Sequence, residues 1–227
     1  MGEILSAEEV RSERYRYPDS TTEDGAKVSD VLATHRWPTN AHLIADCARL
    51  GYLDGRVLDA TYGPHGGFWK VWTPAVLVTN DLYAPADTAA DFRALPFRDQ
   101  SFDAVVFDPP YKLSGTPSLG QFDTRYGIDR VLTLAEKIAL ILDGAAECWR
   151  VARRYLLVKC QDQVVCGRVR WQTDEITERL AGLGARKADR FDFVYTPRKQ
   201  RSQVHARRNT SQLLVFARAG RSAPKEG

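Results

Sequence analysis

Apolar positions along this chain follow two rhythms. Ala41, Leu43, Ile44, Cys47 and Leu50 recur at helical spacing between Pro38–Thr39–Asn40 and Gly51. Proline and threonine suit the first helical positions and glycine suits the residue past the last one, so a helix is predicted over about 40–50. Val131, Leu134, Ile138, Ile141, Ala145 and Trp149 repeat the helical rhythm, with Glu136, Lys137, Asp143 and Glu147 on other faces. A further helix is predicted from about Thr173, where Asp174 and Glu175 suit the positive end, to the terminator Gly184. Between these lie short apolar runs of strand character: 56–58, 75–79, 104–107, 155–160, 191–195 and 212–217. Strands alternating with helices predict an α/β fold on a parallel sheet.

The rest of the chain changes this picture little. A length of 227 residues allows one domain, or two small ones. Residues 1–27 mix both charges with Ser, Thr, Pro and Gly and lack a sustained apolar period, so they read as an arm. A single domain is expected over 28–221, with long loops at 112–130 and 196–210 and a tail at 222–227. No apolar run is long enough for a membrane span, and the charged N-terminus lacks the apolar centre of a secretory signal. Cys47, Cys148, Cys160 and Cys166 show neither metal spacing nor disulfide density; free thiols in a cytoplasmic protein, without a metal, are expected. A net charge of +3 is too small to indicate a polyanionic partner unless it is clustered.

The chemistry concentrates where the run 104–107 stops on Asp108–Pro109–Pro110–Tyr111. Consecutive prolines cannot donate to a strand ladder and stiffen the turn leaving it. The Asp108 carboxylate and the Pro109 carbonyl can both accept from a planar –NH2 group while Tyr111 offers a face to its ring. Two acceptors drawing on such an amine favour the pyramidal geometry that frees the nitrogen lone pair. A surface turn with a solvated aspartate is the plainer alternative.

This stretch resembles the DPPY motif of the S-adenosylmethionine-dependent amino-methyltransferases, which methylate adenine N6, cytosine N4 or guanine N2. Asp59 and the Gly63–Pro64–His65–Gly66–Gly67 turn, about 45 residues earlier, resemble that family's cofactor motif, with one residue more between the glycines. The resemblance spans about residues 34–218. It implies a Rossmann-like class I methyltransferase fold: a seven-stranded, mostly parallel sheet with an antiparallel last strand. It implies a helix after the glycine turn whose free N–H groups meet a carboxylate. For S-adenosylmethionine it implies Pro38 and Thr39, with Trp37, at the methionine end, and Asp59, Ala60, Thr61 and Gly63 around the glycine turn. Asp81 and Leu82 are implied at the ribose and adenine, and Asp91 and Phe92 at the adenine edge.

Asp108, Pro109, Pro110 and Tyr111 become the catalytic candidates. Lys112, Phe122, Arg125 and Tyr126 are candidate substrate contacts in the long loop. Arg198, Lys199, Arg201, Arg207 and Arg208 give the segment 196–209 five basic residues and no acid, which suits phosphate contacts. The expected partner is nucleic acid, DNA before RNA, with adenine N6 before cytosine N4 and the target base flipped out or single-stranded. An RNA methyltransferase acting on guanine N2 or adenine N6 stays open, as does a non-catalytic nucleic-acid binder on the same scaffold.

Overall fold

The structure is a computed structural model, and it describes residues 37–113, 132–194 and 210–218. Helix α1 (Asn40–Arg49) leads into β1 (Arg56–Asp59), and after a 3-10 turn at Gly67–Trp69 come β2 (Val76–Thr79) and β3 (Phe102–Phe107). Helix α2 (Leu134–Val151) runs directly into β4 (Ala152–Cys160); the short strands β5 (Gln163–Val165) and β6 (Arg168–Arg170) follow. Helix α3 (Gln172–Ala181) and the long strands β7 (Ala185–Val194) and β8 (Thr210–Arg218) complete the described chain.

The main sheet has the order β2-β1-β3-β4-β8-β7. β2, β1, β3 and β4 pair in parallel, and β8 enters antiparallel between β4 and β7. This is a Rossmann-like, mostly parallel α/β sheet with an antiparallel last strand. Its central strands carry no exposed side on Ala104–Phe107 or Leu156–Cys160, as expected when helices cover both faces. One core layer joins α1 to the sheet through Leu43, Ile44, Cys47, Val57, Leu157 and Val215. The other joins α2 and α3 through Ile141, Ala145, Trp149, Ile176, Val105 and Leu156. Gly144 lets α2 approach closely: a Cβ there would lie 2.6 Å from the rings of Phe107 and Phe92.

Two expectations are corrected. Six strands, not seven, form the main sheet among the described residues, and β2 is an edge with Val76 half exposed. The segment between β2 and β3 spends its polar groups on turns. Asp81 accepts from the N–H groups of Tyr83 and Ala84, Asp87 accepts from Thr79, and the Asn80 amide links Ala60 and Ala90. Side chains that capture nearby backbone in this way compete with a strand ladder. The helix expected after the glycine turn is also absent, replaced by the three-residue 3-10 turn. Pro74 disfavours helical backbone at Thr73, while Phe68, Trp69 and Trp72 are all drawn into the core beneath the turn. No helical N-terminus is therefore available there for a carboxylate.

Most remaining elements follow the sequence closely, although β7 begins six residues before the run 191–195. α1 ends where Gly51 turns to φ 78°, and α2 starts three residues later than its apolar rhythm, at a capping box of Thr133 and Glu136. The β5–β6 hairpin went unpredicted. Its two-residue turn, Cys166–Gly167, places both residues at positive φ, the geometry that tight hairpins require.

Candidate active site

In an open parallel sheet, ligands gather outside the carboxyl ends of the strands. Here three adjacent strands end in ionisable groups. β1 closes on Asp59, β3 runs into Asp108, and β4 carries Lys159 just before its last residue. The register pairs Phe107 with Val158, which sets Asp108 beside Lys159.

Asp59 is buried and held from two sides. The Trp69 indole N–H donates to one oxygen at 2.6 Å, and the Thr61 N–H donates to the other at 3.0 Å. Burial pushes its carboxyl up to about 7, with the charges of Asp108 and Asp81 adding and the two hydrogen bonds opposing. Thr61 also ties this loop to the next strand, its hydroxyl accepting from the Asp108 N–H at 2.8 Å.

The Asp-Pro-Pro-Tyr turn is braced along its length. Pro109 is buried, Pro110 half-buried, and the Pro109 carbonyl accepts from the Tyr111 N–H at 2.6 Å. The carbonyl of Tyr111 accepts from Gln163 at 2.6 Å and from Gln172 at 2.7 Å, and Gln163 accepts from the Leu113 N–H. Against this bracing one atom stands out: the Asp108 Oδ1 is buried without a hydrogen-bond partner. Burial raises that carboxyl to about 6, and the positive charge of Lys159 opposes the rise.

A cleft of about 300 Å³ opens beside this turn. Thr39 and Asn40 at the start of α1, Asp59, Thr61 and Tyr62 after β1, Gly67 and Phe68 of the 3-10 turn, and Asp108 line it. The Asn40 Oδ1 is, like that of Asp108, buried and unpartnered. Two unsatisfied acceptors and a buried acid make this wall suited to a ligand that brings N–H donors and positive charge.

Of the predicted residues, the cleft brings together Thr39, Asp59, Thr61 and Asp108. Pro38 is exposed one residue before it, whereas Trp37 is a core residue, donating to Asp46 at 2.7 Å and meeting the Phe191 ring edge-on. Ala60 uses its N–H and carbonyl on Val106 and Asn80. Gly63, at φ 68°, donates to Asp81, so Asp81 holds three backbone N–H groups of the surrounding loops. Leu82 is 43% exposed. Asp91 forms an ion pair with Arg93 at 2.5 Å, and the ring of Phe92 packs on Phe107 in the core. Lys112 is exposed beside the turn. Phe122, Arg125, Tyr126, Arg198, Lys199, Arg201, Arg207 and Arg208 lie outside the described residues.

Sequence reasoning missed Trp69, Lys159, Gln163 and Gln172. Lys159 had a signal, as the lone charge in the apolar run Tyr155–Cys160. The glutamines had a weaker one, since Gln161–Asp162–Gln163 follows a buried strand directly with polar groups that need partners.

The sheet and its acidic carboxyl edge define a class, a Rossmann-like protein with a ligand cleft over β1 and β3. No protein-family model matches the chain, and no curated protein matches it. Among solved structures it is similar to a Thermus thermophilus protein provisionally named a DNA modification methylase, at 18% identity and a TM-score of 0.41. That match covers 61% of this chain and 54% of that one, about half its length. It is also similar to the magnesium protoporphyrin IX methyltransferase of Synechocystis PCC 6803 with bound SAM, at 16% identity, TM-score 0.44, covering 79% and 78% of the two chains. A chain of a methyltransferase–activator complex from Haloferax volcanii gives 15% identity, TM-score 0.46, and coverage of 83% and 90%. At these identities the comparisons carry no residue roles over to this chain.

Proposed function

We propose that this protein transfers a methyl group from S-adenosylmethionine to the exocyclic amine of a nucleobase in DNA, adenine N6 first and cytosine N4 second. The observation that carries the reading is the buried, unpartnered Asp108 oxygen at the cleft wall, in a turn whose backbone is fixed by Thr61, Gln163 and Gln172.

The cleft suits the methyl donor on its own chemistry, because Asn40 presents an acceptor that lacks a hydrogen and Asp59 adds buried acidity. S-adenosylmethionine, when bound, supplies a sulfonium methyl whose carbon passes to the amine nitrogen while sulfur keeps the bonding pair. Thr39, Asn40, Asp59 and Thr61 would hold it.

The chain's own residues prepare the acceptor. Asp108 and the second lone pair of the Pro109 carbonyl accept the two amine hydrogens. Both bonds tighten as the nitrogen becomes positive, and selective stabilisation of that kind lowers the barrier. The nitrogen lone pair forms the new bond to carbon, and the surplus proton then leaves for Asp108 or water. Asp108 accepts most strongly when ionised, so its full role is reached above about pH 6. Tyr111 supplies a stacking face, and the five basic residues of 196–209 supply phosphate contacts.

Incubation of the full chain with labelled S-adenosylmethionine and, separately, duplex DNA, single-stranded DNA and total RNA tests this, with nucleoside analysis of the product. Labelled N6-methyladenine from DNA is expected. Label confined to RNA would replace the DNA reading with the RNA one, and binding without transfer would leave a non-catalytic binder.

A further inference from the structure

Lys159 has no task in the account above, yet its position is costly. The side chain is 1% exposed in the middle of the sheet, and its Nζ has no hydrogen-bond partner. A buried ammonium without hydrogen bonds is retained only where something compensates its desolvation. Its surroundings are the Phe193 ring of β7, 5.0 Å from the ammonium, the Cys47 thiol of α1, the neighbouring thiol Cys160, and Asp108 across the β3–β4 pairing. Asp108 in turn faces the buried Asp59 of β1. Of these groups only Asp108 offers Lys159 a readily ionised partner, and Asp108 likewise keeps a buried oxygen unpartnered. Neither group is spent on the other through a hydrogen bond. The pair is coupled through space, and the oxygen stays available to the cleft.

We propose that Lys159 is a positioning residue: its ammonium charge, set behind the cleft wall, holds Asp108 in the ionised form that accepts the substrate amine. The proposal rests on the methyl-transfer reading above. A directly bonded lysine would occupy the oxygen that the substrate needs, whereas one held off by packing on Phe193 lends only its field. Burial lowers the lysine to about 8 while the Asp108 charge opposes the fall, and Asp108 itself is raised to about 6. Both groups are charged together between those values. Below them the carboxylate is protonated, and above them the counter-charge is lost. These are properties of the pair: the rate is expected to rise through an acid limb near pH 6, and above about pH 8 Asp108 stays ionised without the lysine charge.

The test is the pH–rate profile of labelled methyl transfer to DNA by the full chain, wild type against Lys159→Met. The variant's acid limb is expected to move up by about one pH unit or more, so that its rate near pH 6 falls about tenfold relative to its own plateau. S-adenosylmethionine affinity should stay within about twofold, as lysine does not line the cleft. At pH 5, where Asp108 is protonated in both proteins, the variant should unfold at a higher temperature, because methionine replaces a buried cation. A variant profile superimposable on the wild type, scaled equally at every pH, overturns the proposal. If the variant does not fold, Lys159→Gln is read in the same way: an acid limb raised by about one pH unit is expected, and a limb superimposable on that of the wild type overturns the proposal. Wild-type transfer with unchanged profiles rejects Lys159 alone, whereas no transfer by the wild type to any nucleic acid rejects the reading and this proposal with it.

Discussion

Exchanging Asp108 for asparagine keeps the shape of the side chain and removes only its charge, which makes Asp108→Asn the sharpest perturbation of the site. In the folded protein the carboxyl sits at about 6 rather than near 4, because burial outweighs the attraction of Lys159. A raised carboxyl stabilises the fold fully below its unfolded value, and that contribution is lost as pH rises through the folded value. The shift of about 2 units corresponds to about 3 kcal/mol of strain carried by the wild type above pH 7. Asparagine carries none of it. Asp108→Asn should therefore match the wild type near pH 4 and exceed it by up to about 3 kcal/mol at pH 8, a rise in unfolding temperature of about 6–12 °C for a chain of this size. The same variant should lose methyl transfer by about a hundredfold or more, since an uncharged amide accepts more weakly, while binding S-adenosylmethionine nearly as before. Calorimetric unfolding at pH 4, 6 and 8, alongside labelled transfer to DNA, measures both. A stability difference that does not change with pH refutes the desolvated carboxylate, and an active Asp108→Asn refutes its place in the reaction.

Other outcomes follow from the packing and the bracing. Gly144→Ala pushes a methyl to 2.6 Å from Phe107 and Phe92, and overpacking of that kind should cost about 1–3 kcal/mol, read as a lower urea midpoint with an unchanged slope. Gln163→Ala with Gln172→Ala frees the Tyr111 carbonyl and should lower kcat while leaving S-adenosylmethionine affinity near wild type; a loss confined to cofactor affinity would count against the brace. Arg207→Ala with Arg208→Ala should weaken DNA binding and flatten the plot of log affinity against log salt by about 2 in slope, since each phosphate no longer neutralised removes about 0.9. Fluorescence anisotropy between about 50 and 200 mM salt measures it, and an unchanged slope would count against the basic segment.

How much of this could be read from the chain itself varies with the range of the interaction involved. Local rhythm was enough for α1, α2, α3 and the strands β1, β2, β3, β4 and β8, because burial on one face or both imposes its period wherever an element forms. The motif Asp108–Tyr111 was equally legible, as proline stiffness is a property of neighbouring residues. What went wrong went wrong through competition between local and distant partners. The segment after β2 has the length for another strand, but Asp81, Asp87 and Asn80 capture its backbone, and no periodicity announces that. The glycine turn was expected to open a helix, yet Trp69 reaches back to Asp59 and Pro74 closes the space.

The sequence by itself determined that a parallel α/β sheet would deliver an aspartate and a proline-stiffened turn to one edge, since alternation and chain stiffness are encoded within a few residues. Only the tertiary structure decided which polar groups meet there. Lys159 stands 51 positions from Asp108 and Gln172 stands 61 from Tyr111. Strand pairing brings the first together and the fold of the β5–β6 hairpin and α3 the second. Desolvation, which gives Asp59, Asp108 and Lys159 their altered proton affinities, exists only once the sheet and its helices exclude water.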